Sequence, residues 1–375
     1  METIAMNHIT LLIKPASSLC NMRCSYCFYE DLASSRSRKS LGIMSPETTG
    51  TLIRKVFDAL SQDGSVSFLF QGGEPTLAGL DYFQHFVDTV ETCRRRSNPV
   101  YYAIQTNGLL VDAKFAEFFA RHRFLAGLSV DGTQLLHDRF RRDAAGKGTW
   151  QQAADAFHLL QKYRVETSLL CVVTAQTAKK ASQVYRSLTA LGARSLQFIP
   201  CLEPLDAPRG KAGYALTPDA YGRFLCQLFD CWYQDWKAGK QIRIRTFDDY
   251  LSHMLRLPPS SCAASGKCGS YLVAEGDGSL YPCDFYVLDR WCLGNIHSCG
   301  IRDALCGPKA AEFLAERGSP SAECTRCRYY LLCRGGCKRD WDSRGGNYYC
   351  SSYKTFLPYA IPRMEEMAAV YARYR

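Results

Sequence analysis

The chain has 375 residues, of which 47% are apolar and 22% charged, and its formal net charge is +10. The length allows one large barrel or two domains with a substantial core. No run approaches the roughly 20 apolar residues of a membrane helix, no module interleaves basic and stacking side chains for nucleic acid, and the start "METIAMNHITLLIKPASS" lacks a basic stretch leading into an apolar signal core; a cytoplasmic protein engaging neither membrane nor nucleic acid is expected.

"HITLLIKPA" (8–16) reads as a first strand that stops at the loop "CNMRCSYCFY" (20–29). "MSPETTGTLIRKVFDAL" (44–60) reads as a helix, with Ser45 as N-cap, Pro46 at the first helical position and Ile53, Val56, Phe57 and Leu60 on one apolar stripe. "SVSFLFQGGE" (65–74) is a strand running into a glycine loop, and "LDYFQHFVDTVETC" (80–93) a helix. "VYYAIQTNG" (100–108) and "FLAGLSVDG" (124–132) are strands, with a helix at 111–122 between them. A helix at 149–163, a strand at 166–174, a helix at 178–192 and a strand at 195–200 complete six β–α alternations. Mostly continuous apolar strands indicate an α/β protein with a parallel sheet or barrel. Six units in place of eight point to a partial, laterally open barrel, with function at the C-terminal strand ends, where the polar and glycine-bearing sequence falls.

After residue 240 helices thin out and cysteines crowd in. "LVAEG" and "SLYPC" flank a Gly-Asp-Gly turn and read as a hairpin. "CTRCRYYLLCRGGC" (324–337) is a knuckle-like loop, and the last 25 residues are a closing helical tail. The domain boundary is placed at 235–245, giving a barrel over 1–240 and a cysteine-rich domain over 241–375.

Nineteen cysteines in a long chain without an export signal argue for metal or redox chemistry over disulfides. Cys20, Cys24 and Cys27 are spaced C-x3-C-x2-C, with no further cysteine before Cys93. Structural zinc sites and four-iron clusters usually take four protein ligands. Three thiolates on a four-iron cluster leave one iron open for a substrate; on spacing alone, zinc closed by a distant His or Cys is the alternative. Cys262, Cys268, Cys283, Cys324, Cys327, Cys333, Cys337 and Cys350 supply eight more ligands, enough for two fully ligated four-iron clusters or two zinc ribbons. Most of the remaining eight, Cys171, Cys226 and Cys231 among them, read as small buried hydrophobes; Cys292, Cys299 and Cys306 have no assigned role. Gly72 and Gly73 permit close backbone approach to a ligand, and Glu74 places a carboxylate nearby. Taken alone, Arg141 reads equally as a surface charge, Leu202 as packing, and Asp284, beside Cys283, as a turn carboxylate.

The cysteine loop with its aromatic Tyr26, "QGGEP" (71–75) and the partial barrel together resemble the radical S-adenosylmethionine (SAM) superfamily. The later cysteines resemble the SPASM auxiliary-cluster domain of its peptide-modifying branch. "LLIKPASSLCNMRCSYCFY" (11–29), "FQGGEPTLAGL" (70–80), "QTNG" (105–108), "LQFI" (196–199), "YPCDFYVLD" (281–289) and "NYYCSSYK" (347–354) extend the resemblance to anaerobic sulfatase-maturating enzymes over essentially the whole chain. The resemblance implies a partial (β/α)6 TIM-type barrel, then a SPASM domain with two auxiliary clusters and a helical tail. It implies three [4Fe-4S] clusters and SAM as cofactors. The SAM cluster would use Cys20, Cys24 and Cys27, the first auxiliary cluster Cys262, Cys268, Cys283 and Cys337, and the second Cys324, Cys327, Cys333 and Cys350. Tyr26, Gly72, Gly73, Glu74, Ser129, Arg141 and Leu202 would contact SAM. The implied reaction is oxidation of a sulfatase Cys or Ser to Cα-formylglycine, with a 5′-deoxyadenosyl radical taking hydrogen from Cβ, Asp284 accepting a proton and the auxiliary clusters the second electron. Implied partners are an unfolded sulfatase polypeptide and a low-potential donor such as flavodoxin or ferredoxin. A maturase that crosslinks or epimerises another peptide, and a non-enzymatic zinc-ribbon module, remain alternatives. Eleven thiolates on three such clusters bring the net charge down to about +5; the basic runs at 94–96, 121–123 and 139–142 otherwise read as solvated helix ends.

Overall fold

The computed structural model describes residues 6–342 and 345–373. Part of the N-terminal stretch read for a signal, residues 1–5, and the last two residues of the helical tail lie outside that range. Ten strands follow in chain order among the described residues: β1 (Met6–Ile13), β2 (Leu60–Phe70), β3 (Val100–Thr106), β4 (Leu125–Ser129), β5 (Glu166–Val173), β6 (Ser195–Pro200), β7 (Arg243–Ile244), β8 (Leu272–Ala274), β9 (Ser279–Tyr281) and β10 (Gly294–Asn295). Each of β1 to β6 is followed by at least one helix, which is the expected sixfold β/α order. Among the described residues no helix is long and apolar enough to cross a membrane.

Two compact units divide the chain, and they interleave in sequence. The first is Met1–Ser129, Arg141–Thr167 and Gly269–Glu316; the second is Val130–Phe140, Ser168–Cys268 and Arg317–Arg375. No single point near residue 240 separates them. The cause is β8, which pairs parallel with β1, Leu12 opposite Val273 and Ile13 opposite Ala274. The segment expected to open a separate cysteine-rich domain thus extends the sheet of the first unit.

In the first unit β1, β2, β3 and β4 pair in parallel. The predicted hairpin is present as antiparallel β8 and β9, and β10 pairs antiparallel with β9. The helix Pro46–Ala59 starts as expected, with Ser45 Oγ accepting from the Thr48 N–H at 3.1 Å. Phe68 and Phe70 of β2 pack edge-on against Phe86, and Phe70 also against Phe83, both in the helix Leu80–Cys93. These rings are fully buried or nearly so, and such pairs add about 0.5–1.5 kcal/mol beyond area burial. β2 itself alternates buried and half-buried positions, unlike the double-sided burial expected of a central strand.

In the second unit β5, β6 and β7 pair in parallel. The helix Pro218–Lys237 packs on the C-terminal helix Cys350–Ala372 through Phe229 and Phe356, with Phe247 between. Gly222 permits that crossing: a Cβ there would lie 3.2 Å from Ser352 Cα. Ser352 Oγ ties the two helices by donating to the Pro218 carbonyl at 2.5 Å. In a free helix Gly→Ala gains about 1 kcal/mol. Gly222→Ala should therefore show no such gain in chemical denaturation, and Gly222→Leu should lose about 1–3 kcal/mol by overpacking.

Candidate functional site

Cys20, Cys24 and Cys27 sit in the loop between β1 and the helix Phe28–Ser34. The turn closes through the Cys27 N–H donating to the Cys24 carbonyl at 3.1 Å. Cys20 and Cys24 are half-buried and Cys27 is exposed. Burial pushes the Cys20 thiol up to about 12; the Met22 N–H pulls the other way, and the charges of Glu74, Cys24 and Cys27 add to the rise. Three cysteines on one short loop are a donor set whose chemistry fits an iron cluster, because thiolates are its usual ligands. None of the nineteen cysteines is disulfide-bonded. Tyr26 is 7% exposed. Arg141 is 8% exposed, with its guanidinium 5.4 Å from the Tyr26 ring centre, so it is no solvated surface charge. The loop that carries it is stitched to the cysteine loop by the Arg23 N–H donating to the Arg142 carbonyl at 2.8 Å.

The glycine loop after β2 lies directly on the cysteine loop. The Gly73 N–H donates to the Ser17 carbonyl at 2.8 Å and the Glu74 N–H to the Leu19 carbonyl at 2.7 Å. A Cβ on Gly73 would fall 2.0 Å from the Leu19 oxygen, and one on Gly72, at φ +147, 2.9 Å from the Ser17 oxygen. The glycines are thus required first by loop-on-loop packing, where a ligand contact alone was expected. Glu74 also differs from expectation. It is 1% exposed, and Oε1 accepts from Thr76 N–H (3.1 Å), Thr76 Oγ (2.6 Å) and Thr106 Oγ (2.7 Å), while Oε2 accepts from the Asn107 N–H at 2.7 Å. It braces the ends of β2 and β3; it is not an open carboxylate. Burial raises its pKa and these hydrogen bonds oppose the rise.

Asp284 lies after β9, 4% exposed. Its Oδ1 is 2.5 Å from Lys14 Nζ, and its Oδ2 accepts from Gln71 Nε2 at 2.9 Å. Lys14 and Gln71 immediately follow β1 and β2, so the carboxylate stands at the C-terminal ends of two parallel strands. The Asp284 N–H donates to the Tyr271 hydroxyl at 3.2 Å, and that hydroxyl is 3.4 Å from Cys283 Sγ. Burial raises the Tyr271 pKa, so the hydroxyl keeps its proton.

Lys14 is fully buried, and its ammonium also lies 3.7 Å from the centre of the Tyr29 ring. The Tyr29 hydroxyl donates to Glu275, which pairs with Arg36 at 2.7 Å. Burial, then the Glu275 charge, raises the Tyr29 pKa and keeps it a donor. Sequence reasoning missed Lys14, Gln71, Tyr29, Tyr271, Glu275 and Arg36. A lysine at the end of the apolar run "LLIK" was a usable signal, since charges are seldom fully buried unless paired.

Ser129 ends β4, half-buried, and accepts from Gln105 Nε2 at 3.1 Å. Leu202 belongs to the second unit, half-buried in the loop after β6. In that unit burial raises the Cys333 thiol pKa, and Cys327, Cys324 and Cys350 each add to the rise. Cys268 adds likewise to the rise at Cys262. Cys337 Sγ accepts from the Arg339 N–H at 3.4 Å. Among the cysteines left over, Cys171 and Cys201 are buried, Cys93, Cys226, Cys231, Cys292 and Cys299 are half-buried and Cys306 is exposed. The buried-hydrophobe reading therefore holds for Cys171 and fails for Cys226 and Cys231, because each of the latter lies on a partly open helix face.

The Radical SAM superfamily model matches residues 15–188, and the iron-sulfur cluster-binding SPASM domain matches residues 267–328. The chain is 42% identical to a cysteine-type anaerobic sulfatase-maturating enzyme of Clostridium perfringens, over 97% of this chain and 99% of that protein. It is 31% identical to a serine-type enzyme of Klebsiella aerogenes, over 92% of this chain and 84% of that one. The solved structure of native anSMEcpe with bound AdoMet and the Cp18Cys peptide superposes with a TM-score of 0.91 at 41% identity, covering 96% of this chain and 99% of that one. A loop of three cysteines joined to a buried strand-end carboxylate, in a chain matched end to end by such proteins, places it in a family: it belongs to the anaerobic sulfatase-maturating enzymes of the radical SAM superfamily.

Proposed function

We propose that this enzyme oxidises a cysteine of an unfolded sulfatase to Cα-formylglycine (3-oxoalanine). The observation that carries the reading is Asp284, a buried carboxylate held on both oxygens directly after Cys283. The cysteine-type preference rests on 42% and 38% identity to cysteine-type relatives, against 31% to a serine-type one.

Cys20, Cys24 and Cys27 would hold the cluster that binds SAM; Cys262, Cys268, Cys283 and Cys337, and Cys324, Cys327, Cys333 and Cys350, would hold the two auxiliary clusters. When bound, these cofactors supply a 5′-deoxyadenosyl radical that takes hydrogen from the substrate Cβ and a sink for one electron. Tyr26, Ser129, Arg141 and Leu202 would line the SAM site together with the carbonyls of Gly72 and Gly73. The Gly73 and Glu74 N–H groups already have backbone partners, and an ammonium needs acceptors. Glu74 acts from behind by bracing this loop.

Asp284 accepts the substrate thiol proton. Loss of a hydrogen atom, a proton and an electron converts –CH2–SH to –CH=S, and water then yields the aldehyde and releases the sulfur as hydrogen sulfide. Removing the proton first makes the carbon radical a stronger reductant, so the electron leaves more easily. Lys14 balances the carboxylate before that proton arrives. Afterwards the ammonium retains the Tyr29 ring face, an interaction worth about 2 kcal/mol when desolvated. Gln71 fixes the plane of the carboxylate through Oδ2.

Asp284→Asn should keep iron content and SAM cleavage while formylglycine yield falls by about 10²–10⁴-fold; full yield by mass spectrometry would remove Asp284 from the reaction. Lys14→Met leaves a buried carboxylate unpaired and should cost about 3–5 kcal/mol in chemical denaturation. The double variant Lys14→Met/Asp284→Asn should recover most of that stability and none of the activity. Anaerobic reconstitution should load about 12 irons per chain; two zinc and four iron would refute the auxiliary assignment. On matched peptides the cysteine form should be converted faster than the serine form, and the reverse order would refute the substrate assignment.

A further inference from the structure

In the second unit, the segment holding Cys324, Cys327 and Cys333 lies open at the surface. A hollow there is lined by Glu323, Arg326, Cys327, Arg328, Tyr329 and Lys354, so a proposed cluster ligand faces solvent among cations. Lys354 pairs with Glu323. Arg326 donates its Nε to the Ala322 carbonyl at 3.1 Å, and the Arg328 guanidinium lies 5.5 Å from the Tyr329 ring centre. Both arginines are exposed, and among the described residues neither has a carboxylate partner.

Between the ligands Cys327 and Cys333 stands Leu331, 67% exposed. Its short helix, Tyr330–Cys333, closes on Arg334 in the left-handed region at φ 49, ψ 18. Glycine is the usual residue at such a cap, and a side chain there is strained. The loop thus presents one exposed leucine beside solvent-facing arginines and carries its backbone strain at Arg334.

We propose that this loop is the docking surface for an acidic one-electron carrier protein of the flavodoxin or ferredoxin class. Leu331 would be the apolar contact, and Arg326 and Arg328 the cations that steer and orient the carrier. Electron-transfer encounters are small, below about 1,200 Å², and draw their association rate from complementary charge. A carrier seated on the hollow reaches Cys327 with no intervening protein layer. In its oxidised form it takes the single electron that remains after the hydrogen atom and the proton leave the substrate. The proposal rests on the reading that Cys324, Cys327, Cys333 and Cys350 hold a cluster.

The test uses reconstituted holoenzyme and a recombinant acidic flavodoxin. Binding, measured by titration at two salt concentrations, should be at least about tenfold tighter in the lower salt. Arg326→Glu/Arg328→Glu should weaken low-salt binding by at least about tenfold, with iron content and dithionite-supported turnover unchanged. Arg38→Glu/Arg96→Glu, an equal charge change at exposed positions of the first unit, should bind as the parent does. Affinity insensitive to salt, parental affinity in Arg326→Glu/Arg328→Glu, or equal loss in the control would each overturn the proposal. Leu331→Asp, which alters no cation, should also weaken binding, and parental affinity would remove Leu331 from the surface. The cluster reading fails separately, if Cys333→Ala retains all its iron.

Discussion

The site depends on one buried ion pair, Lys14 with Asp284. Neither partner is appreciably exposed, and the pair joins the end of β1 to the loop after β9. Taking two charges out of water costs several kcal/mol each, and an apolar pair of the same volume would hold the fold as well or better. Its use is therefore position: it holds a carboxylate at a fixed strand end. Such an arrangement requires residue 284 to reach residue 14. That is the task of β8, which pairs with β1 and receives the Lys14 N–H on the Ala274 carbonyl at 2.8 Å.

The neighbouring charges extend the same logic. Glu275, the residue after β8, is fully buried and shared by Arg36 and Tyr29. Tyr29 presents its hydroxyl to this anion and its ring face to the Lys14 cation. Two acids and two bases alternate around one phenol, and every charge has an opposite neighbour. The Tyr29 ring face gives the Lys14 ammonium a second partner beside Asp284.

Much of this was legible in sequence. The β/α order, the Ser45 cap and the Gly-Asp-Gly hairpin were readable because each rests on local spacing and turn chemistry. The three-cysteine loop was readable because its ligands lie close in sequence. The division into units was not, since β8 joins β1 across more than 250 residues and three strand residues carry no long-range signal. Lys14, Gln71 and Tyr271 were hidden for a related reason. Each is unremarkable in its own segment and gains meaning only beside Asp284. Glu74 misled in the opposite direction: a carboxylate beside two glycines suggests a ligand site, yet three-dimensional neighbours satisfy it completely.

The glycine loop shows why that error matters for mechanism. A loop whose N–H groups were free would be a flexible ligand clamp. Here those groups are bonded to Ser17 and Leu19, and there is no room for a side chain on Gly73. The cysteine loop and the glycine loop therefore form one rigid piece, braced from β3 by Thr106 and Asn107 through Glu74. Radical chemistry rewards this rigidity, because a reactive radical takes whichever hydrogen lies nearest and product choice becomes a matter of position. The relative placement of the two loops is thus set by backbone packing, and the side chains around them act on a geometry already fixed.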